Sequence, residues 1–147
     1  MDTTSSLQTR LSSGLLLASR QWQRLADQAL SSYGVSGACT APLLMIGRAG
    51  GGIRQVALAH QLGMEGPSLV RLLDKLCALE LVRRESDVSD RRANQLWLTE
   101  HGQALARQLE ARLVELRREV LGPLSEAEMH VVLKLWGLLA DASERLA

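Results

Sequence analysis

A chain of 147 residues, 46% hydrophobic and 22% charged, is long enough for one buried core and too apolar to stay disordered. Seventeen Lys and Arg oppose sixteen Asp and Glu, so any affinity for a polyanion must come from where the cations sit and not from their surplus. Two cysteines without a Cys-x-x-Cys spacing exclude a disulfide framework, and no apolar run approaches the roughly 20 residues of a membrane span.

The start, Met1 to Gln8, is polar and lacks the basic-then-apolar order of a secretion signal, so a cytoplasmic protein without a membrane partner is expected. From Leu7 to about Ser32, the residues Leu7, Leu11, Leu15, Trp22, Leu25 and Ala29 recur at helical spacing, and Tyr33-Gly34 stops the helix. A second helix is predicted from about Thr40 to Arg48, with Pro42 in its first turn, before Gly50-Gly51-Gly52 breaks the chain. Ile53 to Gly63 predicts a short helix on Val56, Leu58, Ala59 and Leu62. The next helix opens at Gly66-Pro67, where proline costs no hydrogen bond, and continues to about Leu79. Two helices joined by a short glycine-containing turn make a helix-turn-helix.

Leu81 to Arg84 and Asn94 to Leu98 then predict two strands, with the polar stretch Glu85 to Arg92 as the tip of a hairpin. Thr99 caps a long helix from Glu100 to about Leu121, striped by Leu105, Leu109, Leu113, Leu116 and Val120, and Gly122-Pro123 stops it. Ser125 to Glu128 reads as a capping box for a last helix ending near Leu146. The predicted class is mainly α with a small β-hairpin wing, a single domain over 1–147. Within it, dimerisation helices at 7–34 and 103–147 flank a winged helix-turn-helix module at 36–102. The terminal stripes are too long for that module to cover, which points to a two-fold homodimer.

On a helix starting near Pro67, the residues Ser68, Arg71, Leu72 and Lys75 share one face, and Leu69, Val70, Leu73 and Leu76 provide the core side. An exposed arginine near a helix start can reach guanine O6 and N7 in a major groove, while Pro67, Ser68 and the first amides suit phosphates or base edges. The competing reading is a solvated face with Arg71 paired to Asp74. Arg54, at the start of the preceding helix, can meet a phosphate, with a solvated surface charge as the competing reading. At the hairpin tip Asp90 precedes Arg92 by two positions, so in an extended segment it can hold that guanidinium in a fixed direction for a narrow minor groove, with Arg91 nearer the phosphates. Double-stranded DNA is the expected partner. His60, His101 and His130 have no metal-ligand spacing and no triad pattern is present, so neither an enzyme nor a cofactor is expected.

The run Gly66-Pro67-Ser68-Leu69-Val70-Arg71-Leu72-Leu73-Asp74-Lys75-Leu76, then Asp90-Arg91-Arg92-Ala93 and Leu98-Thr99 at the family's spacing, resembles the MarR family of winged helix-turn-helix regulators, and within it the SlyA-like branch. The resemblance extends to the six-helix layout over almost the whole chain. It implies a homodimeric repressor of a pseudo-palindromic operator, with Arg71 in the major groove and Arg92, oriented by Asp90, in the minor groove. It also implies a crevice for a small aromatic acid or phenol, for which Arg20, Trp22 and Thr40 supply a cation, a ring and a hydroxyl. Three departures stand out. The wing tip Glu85 to Ser89 is acidic, Glu80 replaces a glycine common in relatives, and the triple glycine is expected to loosen the approach to the third helix. The neutral charge keeps a winged-helix protein–protein adaptor as the alternative class. Cys39 and Cys77 are expected to be small buried apolar residues, with a redox switch as their alternative role.

Overall fold

The computed structural model describes residues 2–86, Ser89 and 94–147. Its chain opens with α1, Thr3–Leu30, capped by the Asp2 carboxylate, which accepts the Ser5 N–H at 2.6 Å. A short 3-10 turn, Ser31–Tyr33, leads into α2, Gly37–Arg48. This helix starts earlier than the expected Thr40, so Pro42 lies in its second turn, where it is fully buried.

The expected helix from Ile53 is shorter than predicted, because Ile53–Arg54 forms a strand, β1, and α3 occupies only Gln55–Leu62. The triple glycine causes this. Gly50, Gly51 and Gly52 all take positive φ, which turns the chain back so that the Gly52 N–H donates to the Leu96 carbonyl at 2.9 Å. The indole of Trp97 lies on this turn, and a Cβ added at Gly51 would sit 2.3 Å from its ring. Instead of loosening the approach to α3, the glycines make a tight seat for an aromatic ring.

Gly63 ends α3 in a left-handed cap, and α4 follows at Gly66–Ala78 with Pro67 in its first turn. The hairpin strands are β2, Val82–Ser86, and β3, Asn94–Leu98, paired antiparallel from Val82↔Leu98 to Ser86↔Asn94. β1 adds to the other edge of β3 through Ile53↔Leu96 and Arg54↔Gln95, giving the order β1-β3-β2. The core joins Leu43 and Ile46 of α2, Leu58 of α3, Leu69, Leu73 and Leu76 of α4, Leu96 of β3, and Leu109 of the helix that follows, all fully buried. Val70 departs from the expected core side and is 37% exposed.

That following helix, α5, runs Glu100–Leu121, and α6 runs Glu126–Leu146 behind the predicted capping box of Ser125 and Glu128. The α5 stripe is buried at Leu109, Leu113 and Leu116 and open at Val120. Backbone contacts divide the chain into two compact units, one up to Leu113 and one of Val114–Ala147. Both terminal helices present apolar side chains outward: Leu7, Leu11, Leu16 and Leu17 on α1, and Val131, Leu133, Trp136 and Leu138 on α6. Among the described residues, no single helix is long and apolar enough to cross a membrane.

Candidate nucleic-acid interface

The amphipathic pattern of α4 fixes what it can offer a partner. Leu69, Leu73 and Leu76 anchor one side in the core, so Pro67, Ser68, Arg71, Asp74 and Lys75 are exposed on the other. Leu72, which the helical spacing groups with them, is half-buried. The competing pairing of Arg71 with Asp74 does not form. Asp74 Oδ1 instead accepts from Arg84 Nη2 of β2 at 2.8 Å, and Arg71 makes no ion pair among the described residues. Arg71 and Lys75, one turn apart, therefore present two cations from the outer face of α4.

Arg54 is the residue immediately before α3, with extended backbone and an exposed side chain. Asp90, Arg91 and Arg92, the expected wing-tip residues, lie outside the described residues. The base of the wing is described, and its two faces differ. Arg83, on the outer face, stacks its guanidinium 5.4 Å from the centroid of the Trp97 ring and pairs with Glu85. Arg84 faces the other way, toward α4, and its side chain is 28% exposed. Trp97, stacked under Arg83, thus ties the sheet to the glycine turn, and Arg84 ties it to α4.

The turn from α4 into β2 depends on Glu80, whose φ of 58° makes it the one non-glycine residue with positive φ among those described. The backbone here holds a conformation that favours glycine, despite the Glu80 side chain. The Thr99 hydroxyl braces it, donating to the Glu80 carbonyl at 2.6 Å while accepting the Gly102 N–H at 2.9 Å. One threonine therefore caps α5 and clamps the exit of α4.

A cleft of about 460 Å³ opens beside the module. Leu44 and Gly47 of α2, Leu98 of β3 and Ala106 of α5 line it with apolar surface, and Arg48, Gln103, Arg107 and Glu110 supply polar groups. Arg48 Nε donates to Glu110 Oε1 at 2.5 Å between α2 and α5. The residues expected to line a crevice do not meet here. Thr40 is buried with its hydroxyl donated to the Ser36 carbonyl at 3.3 Å, Trp22 is half-buried and Arg20 is exposed on α1. Cys39 is buried, Cys77 is half-buried on α4, and no cluster that could hold a metal occurs among the described residues.

The MarR family model matches residues 33–93, from the end of the 3-10 turn to just before β3. The chain is similar in fold to AbsC, a MarR family transcriptional regulator from Streptomyces coelicolor. That match has 22% identity, covers 98% of this chain and 97% of AbsC, and has a TM-score of 0.81. It is also similar to a mutant of MarR from E. coli complexed with operator DNA, at 23% identity, covering 95% of this chain and 99% of that one with a TM-score of 0.79. A third similarity is to the PcaV transcriptional regulator from Streptomyces coelicolor in complex with its natural ligand, at 22% identity, covering 90% and 96% with a TM-score of 0.72.

Proposed function

We propose that the chain, whose residues 33–93 match the MarR family model, is a transcription regulator that works as a homodimeric repressor in the cytoplasm. In this reading α4 enters the major groove of a pseudo-palindromic operator. Arg71 contacts a guanine edge, Ser68 and Lys75 contact neighbouring base edges or phosphates, and Pro67 packs at the helix entry. Arg54 and Arg91 bind phosphates, while Arg92, oriented by Asp90, enters the minor groove. The observation that carries the proposal is the exposed Arg71, free of Asp74 because Arg84 takes that carboxylate. The E. coli MarR relative supports it, having been solved with operator DNA.

The apolar side chains that α1 and α6 turn outward support the dimer, since a second copy would cover them with the same surfaces. Two modules related by a two-fold axis would then read half-sites about 34–36 Å apart. The cleft between α2, β3 and α5 is the proposed effector site. Its apolar lining suits an aromatic ring, and Arg48 and Arg107 suit a carboxylate or phenolate.

Selection of duplexes from a randomised pool tests the function, followed by affinity measured against salt. A regulator enriches a pseudo-palindrome and loses affinity steeply, by about one log–log unit per phosphate neutralised. The near-neutral charge of the chain favours a protein–protein adaptor as the second reading. An adaptor would enrich no sequence and show no salt-dependent affinity for duplex.

A further inference from the structure

The pair between Asp74 and Arg84 joins the proposed reading helix to the base of the wing. Asp74 stands on the exposed face of α4, three residues after Arg71 and next to Lys75, where a bare carboxylate would repel a phosphate backbone. Arg84 lies opposite Leu96 in the sheet, on the face whose neighbours are buried, and reaches out to α4 from there. Asp74 is 61% exposed and Arg84 28% exposed at the side chain, so the contact is open to water on one side and adds little to stability. Its consequences are geometric and electrostatic. It fixes β2 against α4, it neutralises the acid on the reading face, and it keeps one wing cation occupied within the protein.

We infer that Asp74 and Arg84 form a positioning pair that sets sequence discrimination by withholding the Arg84 cation from the DNA backbone and holding the wing at one angle to α4. The inference rests on the DNA reading above. An arginine that is not paired can slide along any phosphate backbone, which raises affinity for every sequence and selects none. Held on Asp74, it leaves discrimination to α4 and the wing tip.

The test uses the full chain, a duplex selected by the wild type from a randomised pool, and the unselected pool as non-specific DNA. Asp74→Asn releases Arg84 at nearly constant side-chain shape. Its non-specific binding becomes steeper in salt by about one log–log unit, so between 50 and 200 mM salt it loses about 3.5-fold more affinity than the wild type. At low salt its non-specific affinity rises and the ratio of specific to non-specific affinity falls. Adding Arg84→Gln to Asp74→Asn removes the extra slope. Thermal denaturation of each variant gives the readout for a merely structural role, which would shift the melting temperature and leave slope and ratio alone. If wild type binds the selected duplex but Asp74→Asn keeps the wild-type slope and ratio, the inference is overturned and the DNA reading stands. If wild type shows no salt-dependent duplex binding, the DNA reading fails and the inference falls with it.

Discussion

Replacing Gly51 by alanine sets two costs against each other in a way its neighbour can separate. At Gly51 the backbone has a φ of 88°, and a Cβ would lie 2.3 Å from Trp97 Cε3 and 2.8 Å from Cζ3. A left-handed conformation costs an L-residue about 1–2 kcal/mol, and forcing a methyl into an occupied site costs about 1–3 kcal/mol more. Gly51→Ala is therefore expected to destabilise the protein by roughly 2–5 kcal/mol. Gly50 has a similar φ of 77° but nothing within 4 Å of its virtual Cβ, so Gly50→Ala should cost the backbone share alone, about 1–2 kcal/mol. Urea denaturation of both variants and the wild type gives the comparison. The Trp97 ring also stacks beneath Arg83, so its fluorescence should shift in Gly51→Ala and not in Gly50→Ala. Equal losses in the two variants would show that the glycines serve only the turn and that the indole seat contributes nothing.

Two further predictions concern element ends. Glu80→Gly should stabilise by about 0.5 kcal/mol, because relief of the left-handed backbone exceeds the added chain entropy, whereas Glu80→Val should lose more than about 1 kcal/mol; thermal melts compare them. The Glu128 carboxylate accepts the Ser125 backbone N–H, and this bond first, then the Ser125 side chain, holds it below the ordinary 4.5, while the Glu128 N–H donates to Ser125 Oγ. Because the folded value is the lower one, this contribution is present above the unfolded pKa and disappears as pH falls through the folded pKa. Ser125→Ala keeps the backbone N–H and removes the hydroxyl, so it should move the Glu128 titration only part of the way back toward its ordinary value, read by carboxyl NMR; an unmoved titration would contradict the hydroxyl's share of the capping account.

The parts of this chain legible in advance were those written as periodicities. The capping box at Ser125 and the core leucines of α4 and α5 are local and emerged where their pattern lay, while Val70 and Val120 are open and β2 runs on through Glu85 and Ser86, which the sequence reads as hairpin tip. What stayed hidden depends on partners distant in sequence. Ile53–Arg54 has too few residues to show alternation, and it is a strand only because Leu96 and Gln95 lie beside it. Helical spacing offered Asp74 a partner at Arg71, whereas the folded chain brings Arg84 closer from ten residues away. Ser36 precedes α2 without a side-chain capping bond, so the true start of that helix left no mark. The cleft gathers α2, β3 and α5, and so involves neither Arg20 nor Trp22, while Thr40 is spent on its own backbone.

The central claim is that α4 reads DNA through Arg71, and the most direct measurement is the affinity of Arg71→Ala for the duplex the wild type selects. Loss of a bidentate base contact predicts a penalty of about 1–3 kcal/mol, roughly a 5- to 150-fold weaker complex, with relaxed preference at one base pair of each half-site. A uniform small loss on all sequences would demote Arg71 to a phosphate contact. Wild-type affinity and preference in the variant would contradict the account.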